Sequence, residues 1–215
     1  APANEAVKYK TVTSKRHFFN RSPWIGPDPR DPNIDPKWPQ KLDEQWAGLY
    51  DYGTSAIPSS VAERLPNETL PHPNEPGMYV IQLEVFHHLH CLNMIRQMAY
   101  PDEYPDMWEY KEDGKVNHDA TISYHIDHCI ESLRQYAICN VDTSYASFHH
   151  NPGDDFNIFP NLWATHTCRD FDAVKEWALE RQATNWQTAD KKVPFMGLPG
   201  METPASALHN KSERR

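Results

Sequence analysis

Proline placement limits this chain's fold more than any other feature. Nineteen of its 215 residues are proline, and twelve of these precede Gly77. Proline fixes φ and removes a backbone donor, so a proline-dense segment cannot run as long helices. Residues 1–76 are therefore expected to form an extended, loop-rich arm. It holds at most a short helix around Asp43–Leu49, and Trp24, Trp38, Trp46 and Tyr50 pin it to the body. Long helices belong in two proline-free windows, Gly77–Tyr100 and Asp106–Asn151. The first reads as a strand followed by a helix that Pro101 and Pro105 stop. The second predicts a helix over "ATISYHIDHCIESLRQYAIC", with Asp119 as N-cap and Asn140 as terminator. A third helix is expected from Thr167, with Asp170 three residues on in a capping-box-like pattern. It would bury Phe171, Val174, Trp177 and Ala178. The expected fold is mainly α within one domain. A helical core at 77–190 is expected, wrapped by Pro-rich arms at 1–76 and 191–215, with room for a short β element.

Composition narrows the function classes. The charge sum is 21 − 30 = −9, a poor balance for binding nucleic acid or anionic lipid. No apolar run approaches the ~20 residues needed to cross a bilayer. The first residue is Ala1, which is expected of a mature or trimmed chain. Three N-x-[S/T] acceptors, at Asn20, Asn67 and Asn210, together with four cysteines, favour a secretory compartment and a glycoprotein.

An internal repeat carries the chemistry. Phe86-His87-His88-Leu89-His90-Cys91-Leu92-Asn93-Met94-Ile95-Arg96-Gln97 lies over Tyr124-His125-Ile126-Asp127-His128-Cys129-Ile130-Glu131-Ser132-Leu133-Arg134-Gln135. Both His, the Cys, the Arg and the Gln are identical. On a helix turning ~100° per residue, His87, His90 and Cys91 share one stripe, as do His125, His128 and Cys129. Leu83, Met94 and Met98 extend the first stripe, so it should face the interior. Two such helices face to face would gather four imidazoles and two thiols. Buried imidazoles without partners are costly, and a metal removes that cost. A single H-x-x-H is weak evidence of a metal, and duplicated histidines can also be hydrogen-bonded core residues. The doubling favours metal binding, with His87, His90, His125 and His128 as the ligands. Arg96 and Arg134 fall about 180° from the first His of each motif and read as structural, paired with acids elsewhere.

The donor set leaves copper and zinc both open. The zinc-protease signature H-E-x-x-H is absent, since His88 and Ile126 stand at the Glu position. Asp127 points away from the stripe, whereas Glu84 lies near it. Nitrogen ligands beside soft sulfur, with no resident base, suit copper redox chemistry at least as well as zinc hydrolysis. His149, His150 and His166 are candidates for a further ligand. Cys91 and Cys129 occupy equivalent repeat positions, so their disulfide would respect the pseudo-symmetry and leave Cys139 with Cys168; thiolate ligation is the rival reading. Asp142 follows the second helix as a structural or ligand-orienting residue. "SFHHNPGDD" reads as a site-edge loop or an ordinary turn.

At "VFHHLHCLNMIR", "HIDHCIESLRQYAICNVD" and "CRDFDAVKEWA" the chain resembles the UstYa-like proteins of fungal mycotoxin and cyclic-peptide biosynthesis. The resemblance spans roughly Met78 to Ala178. It rests on the two H-x-x-H-C motifs, the C-x-x-D segment and the late Cys-Arg segment. His88 stands where the family often has Gln. The resemblance implies a copper-dependent oxidase of secondary metabolism that performs cyclisation, hydroxylation, desaturation or halogenation, with copper on His87, His90, His125 and His128. It also implies a peptide or small-metabolite substrate, dioxygen or peroxide, and an N-terminal transmembrane anchor with the body in the secretory lumen. A homo- or heterodimeric mate is compatible with it. Two other classes use the same histidines: a zinc-assisted cyclase or hydrolase, and a non-catalytic metal-stabilised accessory protein.

Overall fold

The computed structural model describes residues 1–14, 22–27, 31–145, 147–151, 154–160 and 164–186; side chains are described for these except Ser14, His149, Asn151 and 154–160. Asn20, Asn210 and the expected C-terminal arm lie outside these residues. The described residues are mainly helical. Five α-helices run α1 Trp38–Tyr50, α2 Ser59–Ala62, α3 Glu84–Met98, α4 Thr121–Cys139 and α5 Phe171–Glu180. Six strands form three antiparallel two-stranded ribbons: β1 Tyr9–Ser14 with β6 Ala164–Arg169, β2 Thr54–Pro58 with β3 Met78–Gln82, and β4 Phe148–Asn151 with β5 Asp154–Pro160. The β content exceeds the single short element expected. No described helix is long and apolar enough to cross a membrane.

The two longest helices sit in the proline-free windows, for the reason proline dictates. The strand-then-helix reading of the first window holds, with Leu83 as the extended N-cap between β3 and α3. Asn140 caps α4 at its C-terminus, its N–H bonding the Tyr136 carbonyl at 2.9 Å. Three expectations need correction. Helix α1 is longer than the segment Asp43–Leu49, because Pro39 sits in its first turn, where a missing N–H costs nothing. Asp119 is not the N-cap of α4: Ala120 is, and Asp119 instead pairs with Lys111 at 3.2 Å. Thr167 and Cys168 belong to strand β6, not to a helix. Asp170 is itself the N-cap of α5, accepting the Asp172 N–H at 3.1 Å. Trp177 and Ala178 are buried as expected, and Phe171 and Val174 pack partly buried beside them.

Two apolar layers meet along α3. The first gathers Ala3, Ala6, Tyr52, Ile57, Phe86, Trp177 and Ala178. The second gathers Cys91, Met94, Ile126 and Cys129, with Met98 and Leu133 packed on it. The first turn of α3 thus belongs to one layer and its later turns to the other, with His87 and His90 between them.

Arg96 docks the N-terminal arm on this frame. It is buried on α3 and pairs with Asp43 of α1, donates to Asn93 Oδ1 at 2.7 Å and to the Tyr104 hydroxyl at 3.1 Å, and faces the Trp46 ring at 5.9 Å. Its repeat counterpart Arg134 holds Glu131 at 2.6 Å on the surface. Both arginines therefore pair with acids away from the histidine stripe. Arg96→Met should destabilise the fold by about 2–4 kcal/mol in urea unfolding. That is somewhat below the cost of breaking a fully buried pair, because the Asp43 side chain is 36% exposed. Arg134→Met should leave the midpoint nearly unchanged.

Candidate metal centre

The repeat places its histidines where two helices cross. His87 Nε2 of α3 lies 3.3 Å from His128 Nε2 of α4, with ring centroids 5.2 Å apart. His90 and His125 face each other at 5.7 Å between centroids. The first histidine of each motif meets the second of the other, so α3 and α4 run antiparallel here about a pseudo-two-fold axis. Cys91 and Cys129 stand on that axis, both fully buried, and the Cys91–Cys129 contact raises the Cys91 pKa. Cys91 Sγ also sits 3.6 Å from His87 Nε2, and Cys129 Sγ lies 4.0 Å from Met94 Sδ. A layer of sulfur and aliphatic atoms therefore floors the four rings. All four rings are half-buried, so each keeps an open side.

The arm closes one end of this arrangement. Tyr50, at the end of α1, sets its ring edge-on to His90 at 5.5 Å, and its hydroxyl accepts from Asn93 Nδ2 at 2.8 Å. At the other end, Glu84 Oε2 lies 3.3 Å from His87 Nδ1 and 3.6 Å from His88 Nε2. Asp127 is exposed on the outer face of α4.

Protonation follows these surroundings. Burial lowers the pKa of His90 and of His128, which keeps both neutral with a free lone pair at neutral pH. His87 moves the other way, raised by its contacts with Cys91 and then Glu84. Cys91 is itself pushed up by Cys129 and by burial, so it is a neutral thiol. The carboxylate of Glu84 is then the charge that holds a proton on His87. Glu84 is lowered in turn, first by its bond to His87.

The histidine candidates beyond α3 and α4 sit on strands. His166 on β6 binds Asp142 through Nδ1, at 2.5 Å. His150 is exposed on β4, and the His149 side chain lies outside the described residues. All four cysteines stand as free thiols, with Cys139 exposed and Cys168 half-buried. The arm holds a shallow groove of about 400 Å³ lined by Ser22, Pro23, Gly26, Pro27, Trp38, Lys41, Leu42 and Gln45, with Trp38 its one aromatic. None of its lining residues is a histidine; Tyr50 is the arm residue that touches the cluster. Sequence reasoning did not assign Tyr50 or His88 to the site. For His88 the signal was present as an i, i+4 carboxylate–imidazole spacing from Glu84.

A family model described as the mycotoxin biosynthesis protein UstYa matches residues 1–181. The chain belongs to the UstYa family. Among curated relatives, the UstYa family oxidase phomYc′ of Diaporthe leptostromiformis is 32% identical over 177 residues, 80% of this chain and 57% of the relative. The UstYa family oxidase phomYc of the same fungus is also 32% identical, over 80% of this chain and 64% of its own length. Oxidase ustYb of Aspergillus flavus is 30% identical over 64% of this chain and 56% of its own. The chain thus spans about three fifths of the length of these relatives. No solved structure matches it.

Proposed function

We propose that this UstYa-family chain is the catalytic domain of a copper-dependent oxidase of fungal secondary metabolism, with copper on His87, His90, His125 and His128. The observation that carries the reading is the crossed pairing of His87 with His128 and of His90 with His125. The fit of a metal rests on the donor chemistry. Two Nε2 atoms at 3.3 Å are spaced as adjacent ligands of one ion with ~2.0 Å bonds would be, and imidazole nitrogen suits copper or zinc, with His87 giving up its proton on binding. Relatives named as oxidases support redox chemistry over hydrolysis.

Copper would supply one-electron chemistry and activation of dioxygen or peroxide, toward C–H functionalisation such as cyclisation, hydroxylation, desaturation or halogenation. The protein's own part is positioning. The apolar floor of Cys91, Cys129, Met94 and Ile126 blocks approach from below. Substrate, a peptide or small metabolite, must come to the open side of the rings. Tyr50 limits that side at His90, and Asn93 holds the Tyr50 hydroxyl in place.

Turnover should stop when dioxygen and peroxide are both removed. The check is product formation by liquid chromatography and mass spectrometry in an anaerobic chamber, on chain whose metal has been counted. Product formed without oxidant would exchange the oxidase for the zinc-assisted reading.

Secretory residence belongs to the same proposal. Asn67 is exposed in the loop between α2 and β3, where a glycan has room. A disulfide between the touching Cys91 and Cys129 is part of it too, as is one between Cys139 and Cys168. The contact between Asp142 and His166 brings the segment after Cys139 alongside the strand that carries Cys168. Chain secreted from a fungal host should therefore lose mass with peptide N-glycosidase. It should also resist alkylation at Cys91 and Cys129 under denaturing conditions until a reductant is added. Immediate alkylation of both would leave them as thiols.

A further inference from the structure

Glu84 and His88 stand outside the four-histidine set, Glu84 touching it at His87, and apolar packing does not account for either. Laid over α4, Glu84 falls on Ile122 and His88 on Ile126. Both isoleucines pack in the second apolar layer, Ile126 fully within it. The same face of α3 carries a carboxylate and an imidazole instead, which gives up that apolar burial. The His88 ring is nonetheless largely covered, lying 4.5 Å from the Tyr136 ring, and its Nδ1 is buried with no hydrogen-bond partner. Its Nε2 reaches Glu84 only at 3.6 Å, longer than an ordinary hydrogen bond. The unpartnered Nδ1 costs stability whatever Nε2 binds, and Nε2 is the nitrogen turned toward Glu84.

The spacing matches a different bond. One donor atom from each of Glu84, His87 and His88 lies within 4.8 Å of the others. Two donors at ~2.0–2.1 Å from one ion, at tetrahedral angles, stand about 3.3–3.4 Å apart. Glu84 Oε2 is 3.3 Å from His87 Nδ1 and 3.6 Å from His88 Nε2. His87 meanwhile turns its other nitrogen toward His128.

We propose that Glu84, His87 and His88 form a second cation site beside the crossed histidines. It takes a divalent transition metal through the Glu84 carboxylate, His87 Nδ1 and His88 Nε2. His87 would then bridge two ions as an imidazolate, one on each ring nitrogen, with its ring protons released to solvent as the ions load. Two nitrogens and one carboxylate, with the remaining positions open to solvent past the exposed Glu84, form a donor set suited to Cu²⁺, Zn²⁺ or Fe²⁺. The inference deepens the oxidase reading and rests on it only for the ion on the crossed histidines.

The test counts metal. Tag-free, metal-stripped chain is dialysed against excess Cu²⁺, with Zn²⁺ as a parallel probe, and bound ions are counted by elemental mass spectrometry. Wild type should hold two ions per chain. Glu84→Gln and His88→Gln should each hold one, His125→Ala should keep only the ion at Glu84, and His87→Ala should hold neither. Circular dichroism melts establish that each variant is folded. The Cu²⁺ electron paramagnetic resonance signal should be attenuated by coupling in the doubly loaded wild type and return as an isolated centre in His88→Gln. One ion in wild type overturns the proposal, as does wild-type stoichiometry in Glu84→Gln and His88→Gln. A ten- to hundredfold weaker single site in Glu84→Gln also overturns it, because Glu84 then only orients His87. Two ions with no oxidant-dependent turnover would sink the oxidase reading and leave this site standing.

Discussion

Replacing His128 with Ala should remove the ion from the crossed histidines and abolish turnover, with the fold preserved. His128 contributes the Nε2 that faces His87 across the helix pair at 3.3 Å. Losing even a residue that merely supports a metal ligand costs about 10–100-fold in affinity, so losing a ligand should cost more than about 100-fold. Stability should change little, because α4 is held by other residues. Ile126 and Cys129 are buried in the second layer and Leu133 packs on it, while His128 is half-buried above them. Chelator competition measures the affinity, and a melt of the metal-free variant beside metal-free wild type measures the fold. A collapse of the metal-free melt would show His128 to be structural and would favour the accessory-protein reading. Loss of metal with an unchanged melt supports the catalytic one.

Phe86→Ala should be the most destabilising single change, at about 3–5 kcal/mol. Phe86 is fully buried, with Tyr52 edge-on at 5.3 Å and Phe171 at 6.1 Å. The chain at Gly53 passes so close that a Cβ added there would lie 2.5 Å from the Phe86 Cβ. That proximity rules out a larger residue at position 53 and shows how tightly the ring is enclosed. The surrounding α1–β2 turn, α3 and α5 cannot all collapse into the vacated volume, so the cavity term adds to the lost burial. For a chain of this size, about 2–4 °C is lost per kcal/mol, so the melt should fall by roughly 6–20 °C. Because Phe86 adjoins His87, metal affinity should fall with it. A melt within 2 °C of wild type would show that the first layer does not depend on this ring.

Much of the centre was legible before any coordinates. The two H-x-x-H-C stripes follow from helical periodicity, which acts over three or four residues and is therefore written locally. The orientation of Arg96 and Arg134 away from the histidines follows from the same geometry. The strand at Ala164–Arg169 was misread as the start of a helix because the capping pattern around Asp170 is also local and fits both readings. What decides it is pairing with Tyr9–Ser14, in which Val12 stands opposite His166 and Thr11 opposite Thr167. In the folded strand half-buried Ala164, His166 and Cys168 alternate with exposed Thr165, Thr167 and Arg169, the period of two that a ribbon imposes.

Family membership agrees with the motif reading. The sequence alone determined where long helices can lie, since proline forbids them elsewhere, and which residues share a face of each. Only the tertiary structure decided that His87 meets His128 while His90 meets His125, that Arg96 reaches Asp43 across 53 residues of chain, and that Tyr50 covers one end of the cluster. Such contacts depend on how long loops close and which apolar faces bury each other, and many closures share the same local pattern.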